Sequence, residues 1–320
     1  MKTLDCESIA LEWGLVKSLF NRELGLFDFY LSSYPYTSAL VGTVTLMVIT
    51  FVSCHTGKKN DFTLIDKLWP SITLLTSASY TLHSYLTERL SIRLLILLPI
   101  QTFWAYHLAE LFARRGGYTG VEDHRWTKVK AGMNNDPILL FLFSIAFVSV
   151  YQPLMIMNNA MPELLLWEAG NSPLRLGDWF FIALQAGLVG LEYYIDYISQ
   201  SYQVAKARYK NDGTITYGYT KAELERGFCT KGLYAYSRHP NFFAEQTIWI
   251  GLYAWGAYIS GQYLNYSLIG PAVFFLFVVS SATFTESISA EKYPSFKSYM
   301  NQTTCLIPLP YCKYKEPKGE

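Results

Sequence analysis

Within the stretch Gly232-Leu-Tyr-Ala-Tyr-Ser-Arg-His-Pro-Asn-Phe-Phe-Ala-Glu-Gln-Thr-Ile-Trp249, four polar side chains, Arg238, His239, Asn241 and Glu245, crowd the mouth of an apolar segment. An ionisable group in hydrocarbon costs several kcal/mol unless it faces a partner, a ligand or water. The residue types suit recognition of a polar ligand. Arg238 can hold a phosphate bidentately, and His239 can donate to a ribose or a phosphate. Asn241 and Glu245, four apart, share a helical face and can read an amide or a hydroxyl. The bland alternative makes Arg238 and His239 interface anchors and Asn241 a helix cap. It explains Glu245 worst, because that residue sits about one turn inside the segment.

Three further sets could contribute. Glu192, Asp196 and Gln200 recur every four residues, so one helical stripe carries three acceptors. Glu286, Glu291, Tyr299 and Thr303 precede Leu306-Ile-Pro308. Glu286 either meets cations of the other clusters or is a solvated helix end. In Trp104-Ala-Tyr-His-Leu-Ala-Glu-Leu-Phe-Ala-Arg-Arg115, Tyr106, Glu110 and Arg114 share a face. Tyr106, His107 or Glu110 could polarise a carbonyl by hydrogen bonding. A Glu110 to Arg114 pairing accounts for the carboxylate without chemistry.

The chain that must position these groups is 51% hydrophobic and 16% charged, shifted from soluble domains toward membrane proteins. Its formal net charge of +1 shows no basic excess for a nucleic acid. Five cysteines (Cys6, Cys54, Cys229, Cys305, Cys312) form no CxxC pair and no zinc spacing. Reduced thiols and no metal are expected. Asp5, Glu7 and Glu12 stand where a cleaved signal peptide would carry a basic region, so none is expected.

Apolar runs long enough to span a bilayer are Tyr36 to Cys54, Trp69 to Leu86, Leu94 to Leu111, Pro137 to Met157, Gly177 to Ile198, Phe242 to Ile259 and Leu264 to Thr285. The reading is an all-α polytopic membrane bundle of about seven transmembrane helices. Lys58, Lys59 and Lys67, then Arg114 to Lys130, then Lys206 to Lys231, then Lys292 to Lys318 follow alternate spans. By the positive-inside rule the N-terminus is lumenal and the C-terminus cytosolic. The expected organisation is an N-terminal, interfacial segment (1–34), one membrane domain (35–310) and a cytosolic tail (311–320).

At these residues the chain resembles the membrane steroid 5-alpha-reductase superfamily, in its branch of multi-pass proteins with the steroid-reductase C-terminal-like domain (DUF1295). The likeness runs from Asp66-Lys-Leu-Trp69 through Ala113-Arg-Arg-Gly-Gly-Tyr118 and Glu122-Asp-His-Arg-Trp126 to Ile307-Pro308. Its specific part is Arg238-His-Pro-Asn241 with Glu245. Ala244 stands where the family usually has Gly, and Phe242-Phe243 lacks a family hydroxyl. The resemblance implies an endoplasmic reticulum oxidoreductase that uses NADPH to reduce a carbon-carbon double bond conjugated to a ketone in a steroid or other lipid. It implies that Asp196, Arg238, His239, Asn241, Glu245 and Glu286 touch NADPH, with Tyr106 and Glu110 the candidate catalytic residues. No obligate protein partner is implied. A membrane methyltransferase using S-adenosylmethionine shares an Arg-His-Pro element and is the nearest rival. A non-catalytic lipid-binding relative is a third reading.

Overall fold

Asp136-Pro137 shows how this chain starts a helix. The Asp136 carboxylate accepts the N–H groups of Ile138 and Leu139, each at 2.9 Å, and Pro137 needs no donor at the first turn. Ser91 and Asp123 cap two more helices in the same way, and Thr220 with Glu223 forms a capping box. The computed structural model describes residues 6–56, 61–120 and 122–316. Asp5, Lys58, Lys59 and Lys318 lie outside the described residues, as does the side chain of His124.

The described residues are helical throughout, with one parallel backbone bridge, Ser237 to Thr304, in place of any strand. In order the helices are α1 (Cys6–Phe20), α2 (Leu26–Ser32), α3 (Pro35–His55), α4 (Thr63–Leu86), α5 (Ile92–Arg114), α6 (His124–Gly132) and α7 (Pro137–Phe143). A π-helix (Ser144–Tyr151) leads into α8 (Gln152–Asn158), followed by α9 (Glu163–Glu168), α10 (Leu176–Asp212) and α11 (Lys221–Arg226). Then come α12 (Pro240–Ser260), α13 (Ile269–Lys292) and α14 (Phe296–Gln302). Every apolar run named above falls largely in a helix. Four stretches are long and apolar enough to cross a membrane: Pro35–His55, Ile92–Arg114, Pro137–Asn158 and Tyr266–Lys292. The chain is therefore a helical membrane protein.

The chain forms two compact units. The first is Met1–Leu184 with Trp249–Phe274, and the second is Gln185–Ile248 with Phe275–Glu320. In the first unit α4 packs on α3, α5, α8 and α9, and Trp104 meets Trp249 edge-on at 5.1 Å. The Arg93 guanidinium, buried, uses all five N–H groups: two on Asp178, two on Ser172 and one on the Pro173 carbonyl. Asp178 also accepts Trp255 Nε1 at 2.8 Å and the Arg175 N–H at 2.7 Å. A charge pair so completely bonded tolerates burial.

Two of the motifs that carry the family likeness meet in this unit. Trp126 Nε1 donates to Asp66 Oδ2 at 2.7 Å, while Glu122 accepts the Phe62 N–H at 3.0 Å and Lys130 Nζ at 2.6 Å. Burial pushes the Asp66 carboxyl up to about 6, against the pull of the Trp126 hydrogen bond. Asp66 and Trp126 thus form a clasp between two helices.

In the second unit the chain makes a sharp entry into α12. Gly232 has φ +59 and opens a 3-10 turn (Gly232–Ala235). A side chain there would sit in a strained conformation, 2.8 Å from Ile198. The turn is held by the chain's far end: Tyr299 Oη donates to the carbonyls of Tyr234 and Ser237, at 2.5 and 3.1 Å.

Candidate functional site

The second unit gathers the charged residues of the Arg-His-Pro-Asn element around Glu286. Backbone contacts set the stage, because Arg238 N donates to the Thr304 carbonyl and His239 N to that of Cys305, both at 3.0 Å. Ser237 Oγ adds a bond to the Leu306 carbonyl at 2.6 Å. With its backbone fixed, Arg238 reaches α13: Nε lies 2.6 Å from Glu286 Oε1 and Nη2 lies 3.2 Å from Oε2. Nη1 donates to the carbonyls of Met300 and Thr303. His239 Nε2 stands 3.2 Å from Glu286 Oε1, and the ring stacks on Phe242 at 5.1 Å. Glu286 therefore meets the cationic residues rather than ending its helix in water.

This changes the role expected of Arg238. Four of its five N–H groups are committed to Glu286 and to two carbonyls, and the Cys305 thiol lies against the same guanidinium. A bidentate phosphate clamp needs two free N–H groups. In this arrangement Arg238 braces the site.

The same unit holds further buried acids. Glu192 and Asp196 on α10 are buried, as are Glu245 and Gln246 on α12, while Asn241 is half-buried. Gln200 Oε1, the last acceptor of the α10 stripe, has no hydrogen-bond partner. Ala244 packs in a core cluster with Ile195 and Tyr234. Its extra methyl serves packing between α10 and α12. Glu291 is exposed.

The candidates on α5 join no buried cluster. Tyr106 is 63% exposed and lines an open apolar groove with Leu95, Leu98 and Phe103. Glu110 pairs with Arg114 at 2.7 Å on the exposed surface, which is the pairing that needs no chemistry. The buried face of α5 instead presents Gln101, Trp104 and His107.

One grouping went unforeseen in the spacing of the cysteines. Donor atoms of His239, Glu286 and Cys305 lie within 4.8 Å of one another. A guanidinium 2.6 Å from the carboxylate oxygen opposes a divalent cation there. Burial, reinforced by Glu286, pushes the Cys305 thiol up to about 11 and keeps it protonated, whereas a metal takes the thiolate. All five cysteines are free thiols.

The donor set can be weighed against NADPH. Buried carboxylates at 192, 196 and 245 suit the hydroxyl and amide N–H donors of a ribose and a carboxamide, and His239 can add a donor. The phosphates match less well, since the Arg238 fork is already engaged by Glu286, two carbonyls and Cys305.

An all-helical membrane protein with a buried, ion-paired polar cluster is the class these features define. Residues 51–303 match the family described as protein of unknown function (DUF1295), and the chain belongs to that family. It is also similar to an uncharacterized protein of Schizosaccharomyces pombe, 32% identical over 300 residues, covering 92% of this chain and 85% of that protein. No solved structure matches.

Proposed function

We propose that the protein is an NADPH-dependent membrane oxidoreductase that reduces a conjugated carbon-carbon double bond of a steroid or other lipid enone, in the endoplasmic reticulum membrane. The observation that carries this reading is the burial of four acids, Glu192, Asp196, Glu245 and Glu286, in one unit, with His239 3.2 Å from the last of them. Buried ionisable groups are costly in a membrane protein, and a set of them in one unit marks a site for a ligand. Asp196 and Glu245 accept hydrogen bonds from the ligand, His239 donates one, and the Arg238 to Glu286 pair holds the entry to α12 rigid. NADPH, when bound, supplies the hydride. Tyr106 faces outward and Glu110 is taken up by Arg114, so this reading assigns the polarising of the substrate carbonyl to neither.

The same reading places seven spans across the membrane, with the N-terminus lumenal and the C-terminus cytosolic. In sealed microsomes, single-cysteine variants retaining Cys312 or Cys6 test it with an impermeant maleimide. Cys312 should label at once and Cys6 only after permeabilisation. Labelling of both at once sinks the topology.

A methyltransferase using S-adenosylmethionine is the second reading, favoured by one observation. The Arg238 fork is largely occupied, and a stripe of buried acids suits a cationic, phosphate-free ligand. A thermal-shift comparison in detergent separates the two: NADPH should raise the melting temperature and S-adenosylmethionine should not.

A further inference from the structure

Glu163 opens α9 in the first unit, between the apolar runs Pro137 to Met157 and Gly177 to Ile198. It is 0% exposed. Its Oε1 accepts Ser77 Oγ of α4 at 2.8 Å and Gln101 Nε2 of α5 at 2.6 Å. Its Oε2 has no hydrogen-bond partner, and neither has Gln101 Oε1. These are two bare acceptors on two groups already joined by one hydrogen bond. Two acceptors cannot satisfy each other, and a buried acceptor left bare costs about 1–3 kcal/mol. A single proton placed between them satisfies both.

We propose that Glu163 is a proton-binding site, a neutral carboxylic acid closed into a cyclic pair with the Gln101 amide. Oε1 is then the carbonyl oxygen, accepting from Ser77 and from Gln101 Nε2. Oε2–H donates to Gln101 Oε1. The ring ties α4, α5 and α9 together without a buried charge. From α4 the fully buried Tyr80 hydroxyl lies within electrostatic reach of the carboxyl, as it does of Tyr36 and Tyr266. His83 of the same helix packs edge-on against Trp167 of α9 at 5.4 Å. From α5 the facing group is the neutral amide of Gln101. No cation stands in this set to favour the carboxylate.

Burial pushes the Glu163 carboxyl up to about 7, the Gln101 and Ser77 bonds pulling the other way. The sign follows from linkage. The unfolded chain loses this proton from about pH 4.5 upward and the folded chain only near 7. The stability from this group is therefore complete at low pH, is lost as pH rises through that window, and is constant above it.

Infrared difference spectra of the full-length protein in detergent test the assignment, whatever ligand the second unit takes. Glu163→Gln can form the same ring as an amide pair, so it should fold. At about pH 5.5, the wild type should show a protonated-carboxyl carbonyl stretch that Glu163→Gln lacks, and Gln101→Leu should shift that band. The wild-type melting temperature should fall from pH 5 to pH 8 more steeply than that of Glu163→Gln. Identical wild-type and Glu163→Gln spectra in that band overturn the proposal. Should Glu163→Gln not fold, an unshifted band in Gln101→Leu overturns it instead.

Discussion

Arg93 and Asp178 stand 85 positions apart in the chain, one just before the apolar run Leu94 to Leu111 and the other at the start of Gly177 to Ile198. Only the fold shows that Asp178 accepts four hydrogen bonds and Arg93 gives five, so neither could be assigned a partner from spacing. Removing one member strands the other: Asp178→Ala should cost about 3–5 kcal/mol. The double variant Arg93→Met with Asp178→Leu should be less damaging than Asp178→Ala, because it removes both charges. Chemical denaturation in mild detergent measures both. The Arg238 to Glu286 pair was within reach of the sequence, since an acid in one apolar region and a base in another favour meeting. That Arg238 would spend four donors on Glu286 and two carbonyls was not, because carbonyl partners depend on backbone geometry.

Helices were the most legible elements. The apolar runs named their cores, and caps such as Asp136 and Ser91 sit where the residue types put them. The π-helix at Ser144–Tyr151 left no sign, because eight largely apolar residues read as regular helix. Which face of α5 turns inward was also illegible. Periodicity puts Tyr106 with Glu110 and Arg114 on one face, but the wall it faces is set by packing, and the inward face is that of Gln101, Trp104 and His107. The turn before α12 depends on its glycine. Gly232→Ala forces a left-handed conformation on a residue with a side chain, at about 1–2 kcal/mol. The Cβ also meets Ile198 Cδ1, a flexible tip that can yield. A lowered melting temperature with the helical circular dichroism retained is the expected result.

At the scale of the whole molecule, membrane character follows from composition, and the four stretches suited to crossing a bilayer confirm it. The division into two units was hidden, because its boundaries fall inside α10, α12 and α13, where no linker marks them. The family likeness also mixes two kinds of residue. Asp66 and Trp126 clasp helices, whereas Asp196, His239 and Glu245 are buried in the unit proposed to take the ligand. The central claim concerns that second group, and calorimetric titration of the purified protein with NADPH tests it most directly. NADPH should bind the wild type. Glu245→Ala should weaken binding by about 1–3 kcal/mol, the cost of an unmet buried polar partner, while Tyr106→Phe leaves it unchanged. No NADPH binding by a folded wild type, or equal affinity in Glu245→Ala, would contradict the account.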